Sequence, residues 1–369
     1  MTYARARLGP GLTGMALLLL LILAAYLYQM PSTFFPYFGG PWYSDWAGFV
    51  VCFLAYAGLS LPFDIWGGYS LPGSYQRLNL LFSEFLVKWL RGTLVQGVVM
   101  TICAVALLQA GKLGGIWAAA GTLLALQMLL LAVQLPLARW TGSLATAPTR
   151  TGSDGITVLL AKDLGFTGGL AGLPGLERNV QPQSWETRLS APALFAEYIR
   201  RQGLAKSGAR TRGLLLAMGW NLLGFVLSAS LPWGGVDTIF SLLETLLGCT
   251  LWSFLGLLIL PSFSRPGTLE ADRYAAAHGA TRPQLEAAIC EIDQLQEEDL
   301  SRPRWLEALS SIPSVENRLN ALDSKHQPYG AWLAPRMALY LSWANFGLLS
   351  RAAHFNVGRP ELWVLPPGD

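Results

Sequence analysis

GLLLAMGWNLLGFVLSASLPWGGVDTIFSLLETLLGCTLWSFLGLLILP, residues 213–261, contains no lysine or arginine and only two acids, Asp237 and Glu244. It divides into apolar runs at 213–231 and 239–261, separated by a stretch holding Pro232, Gly234 and Gly235. A helix of about 20 apolar residues matches the hydrocarbon thickness of a bilayer. A lone strand would leave its amides unsatisfied in lipid. The stretch therefore reads as a transmembrane helical hairpin. The polar segments on either side of it, 138–212 and 262–330, must then emerge on one face of the membrane.

Four more apolar runs lie toward the N-terminus, at 12–30, 45–63, 90–110 and 114–137, giving six expected spans. The first follows Arg5 and Arg7 as a secretion signal would, but it is long enough to span and no small-x-small cleavage pattern follows it, so it reads as a retained helix. Composition agrees: 13% of the 369 residues are charged and 52% are hydrophobic, whereas soluble proteins carry about 25% charged residues. Within the spans, Gln96, Gln127, Asn221 and Glu244 are expected to face other helices, Glu244 being the costliest to place. The fold class is thus mainly α, a polytopic helical membrane protein with a split cytoplasmic domain. Its parts are a four-helix transmembrane region (1–137), the first half of the polar domain (138–212), a transmembrane hairpin (213–261), the second half (262–330) and a C-terminal segment (331–369).

Orientation follows from the basic residues. The loops at 31–44, 111–113 and 232–238 contain only Lys112, whereas Arg5, Arg7, Arg77, Lys88, Arg91 and the polar segments share the other side. Lys and Arg accumulate on the cytoplasmic side, so both termini and both polar segments are expected in the cytoplasm, the membrane being a bacterial inner membrane. The first outer loop, PSTFFPYFGGPWYSDW, is expected to lie along the far surface as an aromatic belt.

The two polar segments differ in charge: ten Lys/Arg against five Asp/Glu in 138–212, and seven against eleven in 262–330. Complementary charge on one membrane face favours their docking. The net charge of +3, with no lysine-rich block and no zinc-finger spacing, excludes a nucleic-acid partner. Gly165–Gly175 lacks the Gly-Lys-Ser/Thr ending of a phosphate loop and reads as a turn or β-hairpin region. Ser190 is placed to cap a helix running to about Leu204. Residues 270–277 and 284–300 read as helices, the second with Leu285, Ile289, Ile292 and Leu295 on one stripe. The segment 331–349, aromatic and broken by Pro335 and Arg336, is expected to be an interfacial or partner-facing helix, followed by a tail carrying an exposed Trp363. Cys52, Cys103, Cys249 and Cys290 form no CxxC pair and read as apolar thiols. His278, His326 and His354 share no ligand-like spacing.

The order of an amphipathic helix, two spans, LEADRYAAAHG (269–279), a further amphipathic helix and PSVENRLNAL (313–322) resembles the membrane-embedded zinc metallopeptidases of the HtpX and CAAX prenyl protease type. The resemblance covers about 150–325. It is carried by Glu270, Ala271, Asp272, Arg273, Tyr274 and Ala275, and by Pro313, Ser314, Arg318, Leu319 and Leu322. In that family, HExxH on one helix and a Glu on the next hold zinc, since histidines at i and i+4 share a helix face and the Glu between them acts as general base.

Here LFAEYIRRQ (194–202) sets Ala196 and Arg200 at the histidine positions and Glu197 at the general base. Thr268 stands at the third ligand, and Ile312 where the family usually has histidine. Alanine offers no lone pair and a guanidinium is a permanent cation, so the resemblance implies a fold without its metal and without a cofactor. The expected function is that of a catalytically inactive homologue, a structural or regulatory subunit held among other integral membrane proteins in the lipid bilayer. The alternatives are an active zinc endopeptidase with unusual ligands, or a lipid- or cofactor-binding membrane subunit.

Overall fold

The structure, a computed structural model, describes residues 2–34, 42–78, 80–151, 156–296, 301–324, 328–351 and 356–368. The middle of the expected aromatic belt, residues 35–41, falls outside these, as do His326 and His354. From the N-terminus come α1 (Tyr3–Leu27), α2 (Met30–Phe34), α3 (Trp42–Ile65), a π-helical turn (Trp66–Ser70), α4 (Leu71–Ser74), α5 (Phe82–Ala132) and α6 (Gln134–Gly142). A small sheet follows, formed by β1 (Ala145–Thr151), β2 (Ile156–Leu160), β3 (Gly169–Ala171) and β4 (Arg178–Pro182). Next come α7 (Trp185–Arg188), α8 (Ala191–Lys206), α9 (Ala209–Ala229), α10 (Ile239–Ile259), α11 (Pro261–Ala277), α12 (Arg282–Gln296), α13 (Arg304–Leu309), α14 (Val315–Leu322) and α15 (Ala334–Leu341).

Among the described residues five helices are long and apolar enough to cross a membrane: α1, the 44–74 helix, α5, α9 and α10. Straight, the 51 residues of α5 would extend about 77 Å, more than twice the roughly 30 Å hydrocarbon core. Helical geometry breaks at Gly114 (φ −148°, ψ 18°) and Gly115 (φ 67°, ψ −160°), the second in a region that glycine enters without steric cost. The chain reverses there. A Cβ on Gly92 would lie 3.1 Å from the carbonyl of Thr141 in α6, although a straight helix would hold those residues roughly 70 Å apart. The two expected spans are therefore arms of one broken helix, turning at 114–115 rather than at 111–113.

Leu20, Leu94 and Leu215 are each more than 60% exposed in the middle of their helices, a placement that a bilayer accommodates and water does not. The chain is an integral membrane protein. Gln96, Gln127, Asn221 and Glu244 turn inward as expected, none more than 3% exposed. Gly224 lets α9 approach α10: a Cβ there would fall 2.1 Å from Trp252, which stacks on Trp220 at 4.6 Å.

In the polar domain the sheet order is β1-β2-β4-β3, with β2 and β4 parallel and the other pairs antiparallel. The glycine-rich stretch supplies β3 and the turn into β4, so the hairpin reading holds. Ser190 caps α8, its hydroxyl 3.3 Å from the amide of Ala193. It also bonds Glu291 of α12 through amide and hydroxyl at 2.7 and 2.8 Å. Trp185, Ala193, Ala196, Ala275, Leu285 and Ile292 form one buried apolar cluster. The two polar segments are thus docked as one body.

The C-terminal segment departs from expectation. It is neither interfacial nor partner-facing but threads between the spans. Trp343, Leu349 and Trp363 are at most 1% exposed. The hydroxyl of Tyr340 donates to Leu130 O at 2.7 Å, and Asn221 Nδ2 to Ala338 O at 2.9 Å. Arg351 donates to Gln96 Oε1 at 2.6 Å and pairs with Asp64 at 3.3 Å. Asp64 also accepts from Trp89 at 2.8 Å and from the amide of Gly358 at 2.7 Å. Arg351 is ringed by Phe53, Tyr56, Trp89 and Trp363, the last ring centroid 4.6 Å away. A buried arginine is tolerated because its counter-ion and rings are supplied inside the bundle.

Candidate functional site at the junction of α8 and α11

Polar helix α8 precedes the α9–α10 hairpin and α11 follows it, so the hairpin returns the chain to the helix it left. The two helices pack closely: a Cβ on Gly203 would sit 2.7 Å from the ring of Tyr274. Proline at the first turn of each is compatible with its start, where the missing amide hydrogen would be unbonded anyway. Ala196 and Arg200 lie one turn apart on α8, as do Thr268 and Asp272 on α11, and all four are at most 1% exposed.

Between these positions lies a network of charge. Arg200 Nε donates to Asp272 Oδ1 at 2.5 Å, and its Nη1 bonds Glu197 Oε2. Arg201 Nε donates to the other Glu197 oxygen at 2.6 Å. From α14, Arg318 grips Asp272 with Nε and Nη2 at 3.0 and 2.9 Å. Three guanidinia therefore enclose two carboxylates, and Glu197 is held on both oxygens. Its partners at i+3 and i+4 are those of an ordinary helical carboxylate, but the cluster is buried rather than exposed. Burial by itself raises the Asp272 carboxyl; the guanidinia of Arg200 and Arg318 more than offset that and hold it below the usual carboxylate range.

Arg201 extends the network into the sheet. It donates to Val180 O at 2.6 Å, Thr167 O at 2.9 Å and Asn179 Oδ1 at 2.9 Å, and lies over Trp185 at 4.7 Å. Glu270 does not join the cluster: it accepts from Arg212 at 2.6 and 2.8 Å and from the amide of Gly330 at 3.1 Å. Of the two acids in the LEADRY motif, Asp272 is the one that meets Arg200. The role of Arg318 was not legible from spacing, since Asp272 lies 46 residues away; the arginine of the PSVENRLNAL motif was the available signal.

These donors do not suit a divalent metal. The oxygens of Glu197 and Asp272 are occupied by guanidinium groups, which would repel a cation. Ala196 contributes no donor atom, and the buried Thr268 hydroxyl makes no hydrogen bond among the described residues. His278 lies at the end of α11, stacked on Tyr274 at 3.7 Å with a ring nitrogen 2.8 Å from Tyr274 O, and takes no part. Among the described residues no group of three His, Cys, Asp or Glu side chains is arranged to hold an ion.

Fold and site together define a polytopic helical membrane protein whose two-part polar domain is closed by an ion network. That fold is shared with a solved structure, Ste24p of S. mikatae. The superposition has a TM-score of 0.66 and 14% identity, and covers 76% of this chain and 75% of that one. No family model and no curated protein matches the sequence.

Proposed function

We propose that this chain is a catalytically inactive homologue of the membrane zinc metallopeptidases of the HtpX and CAAX protease type, acting as a structural or regulatory subunit of a membrane complex. The observation that carries the reading is the Glu197–Arg200–Asp272–Arg318 network. The fold is shared with Ste24p, a membrane zinc metallopeptidase of the CAAX type. On the motif correspondence, Ala196, Arg200 and Thr268 stand at the ligand positions. In an active relative, zinc ties the two helices and so stabilises the fold; here charge-assisted hydrogen bonds take over that tie. A fold can persist without its chemistry, because function resides in the site.

The asymmetry of Lys and Arg supports a cytoplasmic placement of the polar domain, and the membrane we propose is a bacterial inner membrane. The C-terminal aromatics are internal, and Gly224 and Ala119 are already covered within the chain. A partner must therefore meet the outward faces of the spans. Native electrophoresis after extraction in mild detergent tests the subunit reading: a defined species well above 40 kDa plus detergent is expected, and a lone chain would reject it.

A further inference from the structure

An apolar slot separate from the ion network runs between α1 and α10. Leu12 and Met15 form one wall and Phe254 and Leu258 the other; it encloses about 870 Å³, counting the part open to the surroundings. Leu12 and Leu258 are each over 40% exposed, so the slot opens toward lipid.

One end of the slot is polar. Arg336, Ser311 and Asn356 line it. This end lies on the side of the polar domain, because the chain entering α15 is pinned there. The amide of Trp332 donates to Ala209 O at 3.0 Å and that of Leu333 to Ser264 Oγ at 2.9 Å. Trp305, 58% exposed on the wholly surface-lying α13, marks the same rim, and tryptophan settles at the headgroup level. Asn356 is 5% exposed; its Nδ2 donates to Ser350 O, while its Oδ1 is buried with no donor among the described residues. A buried acceptor without a donor is costly, and a ligand hydroxyl would satisfy it.

We infer that this slot binds an anionic glycerophospholipid with a hydroxyl-bearing headgroup, of the phosphatidylglycerol type. One acyl chain fills the space between α1 and α10, the phosphate meets Arg336, and a headgroup hydroxyl donates to Asn356 Oδ1. Arginine suits phosphate through charge-assisted hydrogen bonds. The inference is independent of the peptidase reading.

The test is native mass spectrometry of the full chain in mild detergent with phosphatidylglycerol or phosphatidylcholine of identical acyl chains. Phosphatidylglycerol should be retained about tenfold more strongly, and Arg336→Gln should abolish most of that preference. Leu258→Trp, at a lipid-exposed position that tolerates bulk, should reduce retention of both lipids by narrowing the slot. Glycerol 3-phosphate alone should not compete. Equal retention of the two lipids, retention unmoved by both variants, or full competition by glycerol 3-phosphate would each overturn the assignment.

Discussion

Arg200 Nε lies 2.5 Å from Asp272 Oδ1, which joins α8 to α11 across the two spans that separate them in sequence. Asp272 also takes both donors of Arg318, so three elements meet on one carboxylate. Isolated surface pairs of this kind contribute about 1 kcal/mol or less. Inside a buried cluster, deleting one partner strands the others. Asp272→Ala should cost about 3–5 kcal/mol. Arg200→Met should cost less, because Asp272 keeps Arg318 and Glu197 keeps Arg201. Unfolding in mixed detergent micelles measures both; a loss under 1 kcal/mol for Asp272→Ala would show that the network does not hold the domain together.

The depressed Asp272 carboxyl gives this tie a defined pH dependence. With a folded pKa below its unfolded value of 3.8, the group's stabilisation is fully present above that value and is lost as pH falls through the folded pKa. Stability of the wild type relative to Asp272→Asn should be flat from pH 7 to 5 and decline only below about 4. A difference that already fades between pH 7 and 5 would contradict the assignment.

Glu244 is the opposite case. It is 3% exposed within α10, and neither carboxyl oxygen accepts a hydrogen bond among the described residues. A buried polar group left unsatisfied costs about 1–3 kcal/mol. Glu244→Leu, of similar length and apolar, should therefore raise the unfolding midpoint. A lowered midpoint would mean that the carboxylate has a stabilising partner in the assembled protein.

The internal C-terminal segment makes a prediction opposite to that of a partner-facing helix. A cysteine at Trp343 should resist a lipophilic maleimide in mild detergent until the protein unfolds, whereas one at Leu215, 64% exposed, should react promptly. Trp343→Ala should cost about 3–5 kcal/mol from the cavity it leaves. Prompt labelling at 343 would remove the segment from the bundle interior.

Hydrophobic run length was enough to read the spans, because bilayer thickness fixes it, and Gly114–Gly115 sat close to the turn that the runs required. The helix at Ser190 and the stripe on α12 were legible from a cap and a period, both local. The C-terminal segment was not. Its aromatics and Arg336 look the same at a membrane surface as in a bundle interior, and the residue that decides between them, Asp64, lies 287 positions from its partner Arg351. The sheet was legible only at its glycines, since β2 pairs in parallel with a strand beyond β3. At the α8–α11 junction the motif alignment found Arg200 and Asp272, while Arg318 required the third dimension.

In the proposed reading, guanidinium groups occupy the position where active members of the resembled metallopeptidase family hold zinc. Elemental analysis of protein purified without metal-affinity resin, and then incubated with one equivalent of zinc and desalted, tests it most directly. Well under one tenth of an equivalent of zinc per chain is expected (on the order of background for a site without ligands), unchanged by Glu197→Gln. One equivalent of zinc, lost in Glu197→Gln, would contradict it.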